Sequence, residues 1–223
     1  GIDDELKFRK NQKTYQTISF EQAGLRFEGQ EYLFLPTPRD VEIASKHLKK
    51  IGADPGAVAR PVIGINTGSG VKFAGKRLEE AAYVRLAAML GERLGATIFL
   101  LGGQDEIQRN HSIQRQIAGK AFDTGSHTIG QFAGIVSFCD LVITGDTTAM
   151  HVAIALKVPT VVCFGSTCAA EIELYGRGFK IVSKLACAPC YKKACPIGEA
   201  CMAQTDLGLI AAAAEQLLNR PRK

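Results

Sequence analysis

Short apolar runs alternate with longer amphipathic stretches from Val62 to the last quarter of the chain. Such runs are typical of buried strands, whereas apolar positions three or four residues apart are typical of helices. The predicted strands are 61–66, 96–101, 121–123, 141–144, 159–164 and 179–182, and the predicted helices are 79–94, 105–118, 128–138 and 147–156. This alternation predicts an α/β fold, namely a Rossmann-like parallel sheet with helices on both faces and right-handed crossovers.

The chain before this pattern is less regular. In residues 1–35 the apolar positions follow neither a two-residue nor a 3.6-residue period, and we expect a short helix near 15–23 and an extended piece at 32–35. Thr37 followed by Pro38 is typical of a helix start, with the threonine as N-cap, and predicts a helix from about 38 to 51. This part of the chain therefore resembles a connector that packs on another unit.

The end of the chain contains one further predicted helix. Apolar residues after a cap at Thr205 recur at the spacing of one helical face. The sequence is thus divided into a connector segment at 1–59, a Rossmann-like domain at 60–204 that includes a cysteine-rich tail at 187–201, and a C-terminal helix at 205–223.

The composition narrows the class of protein. Hydrophobic residues make up 46% and charged residues 22%, as in soluble globular proteins. No apolar run approaches the roughly 20 residues of a membrane helix, and the charged start, Gly1 to Lys10, is not a signal peptide. The net charge of +5 suits an anionic ligand or a membrane surface. We expect no nucleic-acid partner, because no basic stretch is interleaved with aromatic residues, and we expect a cytoplasmic protein.

The stretch from Gly145 to His151 is the strongest candidate for a binding site. It lies between the apolar strand 141–144 and an apolar helix, which is where ligands bind in an open α/β sheet. With Thr147 as N-cap, the backbone amides of Thr148, Ala149 and Met150 and the helix dipole can bind a phosphate. His151 lies one turn further along, on the same side. Taken singly, Asp146 could be a structural cap and His151 a core histidine.

Two other loops follow predicted strands. Thr67-Gly68-Ser69-Gly70 offers hydroxyl donors and glycines that let the backbone approach a phosphate, and Lys72, Lys76 and Arg77 add positive charge. This loop lacks the spacing of a Walker A motif or a dinucleotide fingerprint, so a plain turn is the alternative.

An acidic pair lies beyond the strand 96–101. An acid at this place in such a sheet often accepts hydrogen bonds from ribose hydroxyls, which makes Glu106 a candidate. The alternative is that Asp105 and Glu106 only complement the helix dipole.

Seven cysteines occur in the chain. Cys139 and Cys163 lie in apolar runs and are predicted to be core residues. The other group is Cys187, Cys190, Cys195 and Cys201, which begins with a C-x-x-C pair and could hold one structural zinc ion. Reduced or partly oxidised thiols that hold a loop are the alternative.

The stretch Asp146-Thr147-Thr148-Ala149-Met150-His151 resembles the D-T-G-x-M-H signature of the lipopolysaccharide heptosyltransferases, glycosyltransferase family 9. Thr148 stands where the family has glycine, and Leu78 replaces the tryptophan of a Lys-Arg-Trp triplet. The resemblance implies that Lys76 neutralises the donor diphosphate, that Glu106 binds the ribose and that the backbone at His127 contacts adenine. A similar C-x-P-C tail also occurs in many family members.

The resemblance further implies the C-terminal domain of a GT-B glycosyltransferase, which transfers heptose from ADP-heptose to an inner-core lipopolysaccharide acceptor with inversion and requires no cofactor. Asp146 and His151 would hold the sugar hydroxyls. The family's general base is an Asp in the N-terminal half, and no residue before Val62 matches it. We therefore expect a donor-binding half that is inactive alone, with the complete enzyme at the cytoplasmic face of the inner membrane.

Two rival interpretations stay open. A relative that uses another nucleotide-sugar would account for Thr148 and Leu78. A nucleotide- or metal-binding module without transferase activity would account for the loops and the cysteine tail.

Overall fold

The chain folds around one six-stranded parallel sheet. The computed structural model describes residues 5, 9–69, 75–117, 121–192, 194, 195, 197, 198 and 200–221. The strands are β1 (Val62–Asn66), β2 (Thr97–Leu101), β3 (Ala121–Asp123), β4 (Leu141–Gly145), β5 (Thr160–Phe164) and β6 (Gly178–Val182). Their order is β3-β2-β1-β4-β5-β6, and every neighbouring pair is parallel. The predicted α/β fold is confirmed.

Eight α-helices accompany the sheet in the described part of the chain. They are α1 (Tyr15–Gln22), α2 (Pro38–Lys50), α3 (Glu80–Leu94), α4 (Ile107–Gln116), α5 (Ile129–Val136), α6 (Thr148–Ala155), α7 (Ala200–Ala203) and α8 (Leu207–Leu218). None of these helices combines the length and apolarity that a membrane crossing needs.

Helices cover the sheet on both faces, and the central strands β1, β2, β4 and β5 are therefore buried throughout their length. Side chains alternate between faces along a strand. One core joins Ile63, Ile65, Ile98 and Leu100 to α3, α4 and α8. The other joins Val62, Phe99, Leu101 and Val142 to α2, α5 and α6. A parallel sheet sandwiched in this way leaves its two strand-end edges as the places where loops can form a site.

Helix α2 packs closely on α5. Its start has the predicted cap: the Thr37 hydroxyl accepts from the Asp40 amide at 3.1 Å, and the Asp40 carboxylate accepts from the Thr37 amide at 3.0 Å. A Cβ at Gly134 would lie 2.9 Å from the Asp40 carbonyl and 2.9 Å from the Ala44 methyl. Glycine on α5 therefore permits the close approach that seats α2 against the sheet domain.

Several element boundaries differ from expectation. The predicted helix 105–118 begins as a 3-10 turn, Gln104–Glu106, before α4, and Ala118 lies outside the described residues. The cap of α8 is Asp206, not Thr205, because the Asp206 carboxylate accepts from the Gly208 and Leu209 amides at 2.8 and 3.3 Å. Residues 32–35 join no strand, and the short helix α7 at the end of the cysteine tail was not predicted.

Candidate functional site

The strand order reverses between β1 and β4. β1 has β2 on one side and β4 on the other, so the loops after β1 and β4 leave the same edge in opposite directions. In open α/β sheets, ligands bind in the crevice outside the carboxyl ends of the strands at such a switch point. The predicted site loops after β1 and β4 both open onto this crevice, and the predicted acid follows the neighbouring β2.

Lys76 and Asp146 meet at the switch point. The Lys76 ammonium lies 3.1 Å from Oδ2 of Asp146 and donates to the Asp146 carbonyl at 3.2 Å. Both side chains are largely buried, with 12% and 19% of their surface exposed. Gly145 makes this crossing possible, because a Cβ there would collide with the Lys76 carbonyl oxygen. The structure thus joins the cation and the carboxylate that the sequence places 70 residues apart.

Asn66, the last residue of β1, ties the two central loops together. Its amide nitrogen donates to the Gly68 carbonyl at 2.9 Å and to the hydroxyls of Thr144 and Thr147 at 3.2 Å each. The side chain is buried. Sequence reasoning missed this residue, although a polar side chain at the end of an apolar strand was a usable signal.

The first turn of α6 has no side-chain cap. Thr147 occupies the N-cap position, as predicted, but its hydroxyl bonds to Asn66 and Thr144 instead of to a helix amide. The Met150 amide, expected to be open to a ligand, bonds to the Thr147 carbonyl at 3.1 Å. The amides of Thr148 and Ala149 therefore stay the candidates for binding a phosphate at this helix end, and Thr148 itself is exposed.

The Glu106 carboxylate packs against the loop after β1. It accepts from the Gly103 amide at 2.9 Å, and a Cβ at Gly68 would lie 2.7 Å from its carboxyl carbon. The Arg109 guanidinium lies 3.9 Å from Glu106 and donates to the Thr67 carbonyl at 3.0 Å. The hydrogen bond from the Gly103 amide and the charge of Arg109 therefore hold Glu106 beside the switch-point loops.

Two hydroxyl residues of the same loop differ in their surroundings. Thr67 is fully buried and donates its hydroxyl to Asn110 at 2.6 Å. Ser69 is half-buried further along the loop. The predicted contributions of Gly70 and Lys72 lie outside the described residues, whereas Arg77 follows Lys76 within them.

His127 lies at the far end of the row of loops, after β3. Its Nε2 bonds to the Thr124 carbonyl, and its ring meets the His47 ring edge-on with the centroids 4.7 Å apart. Burial, and next the neighbouring His127, lower the pKa of His47. Two imidazoles therefore line the place where the sequence predicted a contact with adenine.

His151 lies on the opposite side of Asp146 from this histidine pair. Its ring stacks on Tyr32, with centroids 5.8 Å apart and planes inclined by 26°. The imidazole retains an exposed face, yet desolvation by the surrounding protein lowers its pKa; the Asp146 charge opposes this shift and the Lys76 charge adds to it. Tyr32 belongs to the connector and was not predicted as a site residue.

The loop after β5 contributes a third unpredicted residue, Glu171. The buried carboxylate of Glu171 accepts from the Tyr15 hydroxyl at 2.7 Å and also from the Tyr191 hydroxyl. Burial, and next the hydrogen bond to Glu171, raise the pKa of both phenols. The connector helix and the cysteine tail are thus fastened to one acidic residue.

The four cysteines of the tail are free thiols in different environments. Cys187 is exposed, Cys190 and Cys195 are half-buried, and Cys201 is buried with its sulfur 3.9 Å from the Gly75 carbonyl. Burial raises the pKa of Cys201, and the other three thiols add to that shift. Within the described residues, no three His, Cys, Asp or Glu side chains are arranged to hold a metal ion. Structural zinc stays a prediction for metal analysis to test.

A cleft of about 700 Å³ lies elsewhere on the molecule. It is lined by Arg60, Asp140, Phe138 and Leu218, at the amino ends of β1 and β4. None of the predicted site residues lines it. Because ligands of parallel sheets bind at the carboxyl ends of the strands, the switch-point crevice is the stronger candidate despite the size of this cleft.

The chain is similar to known proteins of one family. The family model of glycosyltransferase family 9 (heptosyltransferase) matches residues 19–201. Lipooligosaccharide heptosyltransferase 2 of Campylobacter jejuni serotype O:6 is 28% identical over 144 residues, which are 62% of this chain and 45% of that protein.

Two solved structures share the fold. The glycosyl transferase family 9 from Veillonella parvula has a TM-score of 0.69 at 22% identity, over 89% of this chain and 57% of that one. The E. coli ADP-heptose LPS heptosyltransferase II has a TM-score of 0.59 at 18% identity, over 83% and 53%. The chain therefore spans about half the length of the relatives that it matches.

Proposed function

The chain belongs to glycosyltransferase family 9, and on that premise we propose that it is the donor-binding half of an inverting heptosyltransferase that uses ADP-heptose. The observation that carries the proposal is the meeting of Lys76 with Asp146 at the switch point, 3.1 Å apart. The lysine and the signature stretch are separate in sequence, and their convergence forms one polar crevice above β1 and β4.

The order of the candidate residues along the strand ends defines one orientation for a bound nucleotide-sugar. Glu106 and His127 follow β2 and β3, so the nucleoside is assigned to that end. The diphosphate lies above β1 and β4, near Lys76 and the first amides of α6. The sugar then extends past Asp146 toward His151, where a carboxylate and an imidazole can bind its hydroxyls.

The chemistry of this half is stabilisation of the leaving group. When the bond from the anomeric carbon to the diphosphate breaks, negative charge develops on the diphosphate oxygens. Lys76 and the amino end of α6 supply positive charge there, so the proposal requires no cofactor. In the free protein Asp146 holds the ammonium in place, and donor binding exchanges that partner for phosphate oxygens.

The acceptor and the proton transfer belong to the other half of the proposed enzyme. Inverting transfer requires a general base that deprotonates the acceptor hydroxyl, and we assign that base to an N-terminal domain that relatives of twice this length have room for. The acceptor is then inner-core lipopolysaccharide, at the cytoplasmic face of the inner membrane. The described chain alone is expected to bind the donor without transferring sugar.

Calorimetry with ADP, UDP and GDP tests the proposal. We expect ADP to bind most tightly, because the nucleoside end would recognise adenine. A preference for UDP or GDP would instead support a family relative with another nucleotide-sugar, and binding of none would support a module of another function. Sugar transfer by the isolated chain would contradict the assignment of the base to a second domain.

The exposed Thr148 provides a finer test of the donor. It stands at the first position of α6, where the family signature has glycine. Thr148→Gly should leave ADP-heptose binding unchanged or strengthen it, because removal of the side chain opens the amide to phosphate. Weaker binding by this variant would indicate that the threonine hydroxyl is itself a contact for a different donor.

A further inference from the structure

The sugar end of the crevice has a wall that comes from the connector. If the nucleoside lies toward β2 and β3 and the diphosphate lies at Lys76, the transferred sugar must lie on the β5 side of Asp146. Tyr32 is on that side, with its ring stacked on the His151 imidazole at 5.8 Å. Tyr32 also packs against the apolar cluster that contains Met150 of the signature stretch.

Both connector tyrosines are within electrostatic reach of Asp146. Desolvation by burial is the main cause that raises the pKa of Tyr32 and of Tyr15, and the Asp146 charge contributes to both shifts. The two phenols therefore share the surroundings of the Asp146 carboxylate, although the rest of α1 and a stretch outside any helix or strand separate them in the chain.

Three separate contacts fix the connector in this position. The Tyr15 hydroxyl donates to the buried Glu171 carboxylate at 2.7 Å. The Glu31 carboxylate binds the Arg177 guanidinium through both oxygens, at 2.8 and 3.2 Å. The hydroxyl of Tyr175 donates to the Gln30 carbonyl at 2.8 Å, two residues before Tyr32.

The strongest of these contacts are partly shielded from water. Glu171 is only 4% exposed, and the side chains of Glu31 and Arg177 are 30% and 29% exposed. The two parallel hydrogen bonds between Glu31 and Arg177 fix the orientation of these side chains as well as their distance. The connector is therefore built into this edge of the domain instead of passing over it.

We propose that Tyr32 is a positioning residue of the donor site, which sets the His151 ring against the transferred sugar and gives the site its preference for a sugar-bearing nucleotide. This inference rests on the proposed function and adds a residue outside the signature stretch. A tyrosine ring is apolar on its faces and polar at its tip, so it can support the imidazole on one side and the C–H face of a sugar near its edge. The ligand class is a nucleoside diphosphate with a hexose- or heptose-sized glycosyl group.

Tyr32→Leu tests this role, because leucine retains apolar packing while removing the ring. The affinities of the chain for ADP and for ADP-heptose are measured by calorimetry. We expect Tyr32→Leu to weaken ADP-heptose binding about fivefold to tenfold, the upper part of the range for an aromatic pair, and to leave ADP binding within about twofold. Tyr32→Phe keeps the ring and should recover most of the affinity. Leu35→Ala, at a connector residue that is 80% exposed, is the control.

His151→Ala removes the other ring and gives an independent measurement. It should cause the same selective loss, and the double variant with Tyr32→Leu should lose little more, because the two residues act as one unit. Thermal unfolding of each variant shows whether it folds, and if Tyr32→Leu does not, Tyr32→Met takes its place, because methionine also removes the ring and retains apolar packing.

The outcomes separate the inference from the proposed function. If the parent chain binds neither ADP nor ADP-heptose, both fail. If the parent binds ADP-heptose but the variants weaken both ligands equally, or neither, the positioning role is overturned while the donor site stands.

Discussion

Replacement of Lys76 by methionine should weaken ADP binding without affecting adenosine. The variant keeps an unbranched side chain that is one atom shorter and removes the charge that lies 3.1 Å from Asp146 in the free protein. Adenosine has no phosphate, so its affinity depends only on the nucleoside end of the crevice, near Glu106.

The magnitude follows from the exchange of partners. A hydrogen bond to a charged group contributes about 1.5–3 kcal/mol. Because Lys76 already has Asp146 as a partner before ADP binds, we expect the lower half of that range, about 1.5–2 kcal/mol, or roughly 10- to 30-fold weaker ADP binding. The side chains are 12% and 19% exposed, so loss of the ammonium leaves a largely buried carboxylate. The dipole of α6 compensates part of this cost, and Tm should fall by about 2–6 °C.

Calorimetry with ADP and adenosine, on folded protein, provides the assay. Lys46→Met is the matched control, since it removes the same charge from a side chain on α2 that is 73% exposed. It should leave both affinities and Tm nearly unchanged. ADP affinity within about twofold of the parent for Lys76→Met, or an equal loss for adenosine, would refute the assignment of the diphosphate to this lysine.

Three further predictions concern other parts of the molecule. In a protein that carries both proposed halves, Asp146→Ala should lower activity by about a hundredfold or more with Tm within several degrees; unfolding with normal activity of the folded fraction would make the residue structural. In a native thiol titration, Cys187 should react first, while Cys163, whose pKa burial raises to about 12, should react only on unfolding; a chelator requirement before Cys187 reacts would indicate bound metal. Because the folded protein binds a proton at His47 less tightly than the unfolded chain does, Tm should fall as pH drops below the usual value of 6.5, and His47→Gln should reduce this dependence; an unchanged pH profile would contradict it.

The central pair of the site could be predicted because it depends on topology alone. The alternation of apolar runs with helices predicted the parallel sheet, and Lys76 and Asp146 each follow a strand of that sheet. Residues after neighbouring parallel strands share an edge, so their proximity required no knowledge of side-chain packing. The close crossing that requires Gly145 depends on the path of the Lys76 backbone and was not predictable from this pattern.

The sugar-side wall could not be predicted for a physical reason. Tyr15 and Glu171 are separated by 156 residues, and residues 1–35 have no apolar period that places their side chains on a known face. Its position is set by individual polar contacts, such as Glu31 with Arg177, whose partners cannot be chosen from sequence spacing. Thr147 shows the same limit at short range. Its place at the start of α6 was predicted, but its hydroxyl forms hydrogen bonds with Asn66 and Thr144 instead of capping the helix.

A crystal structure of this chain with bound ADP tests the central claim most directly. The account predicts diphosphate oxygens within about 2.7–3.2 Å of the Lys76 ammonium and of the first amides of α6, with the adenine on the Glu106 side. ADP bound in the cleft beside Arg60, at the amino ends of β1 and β4, would contradict it.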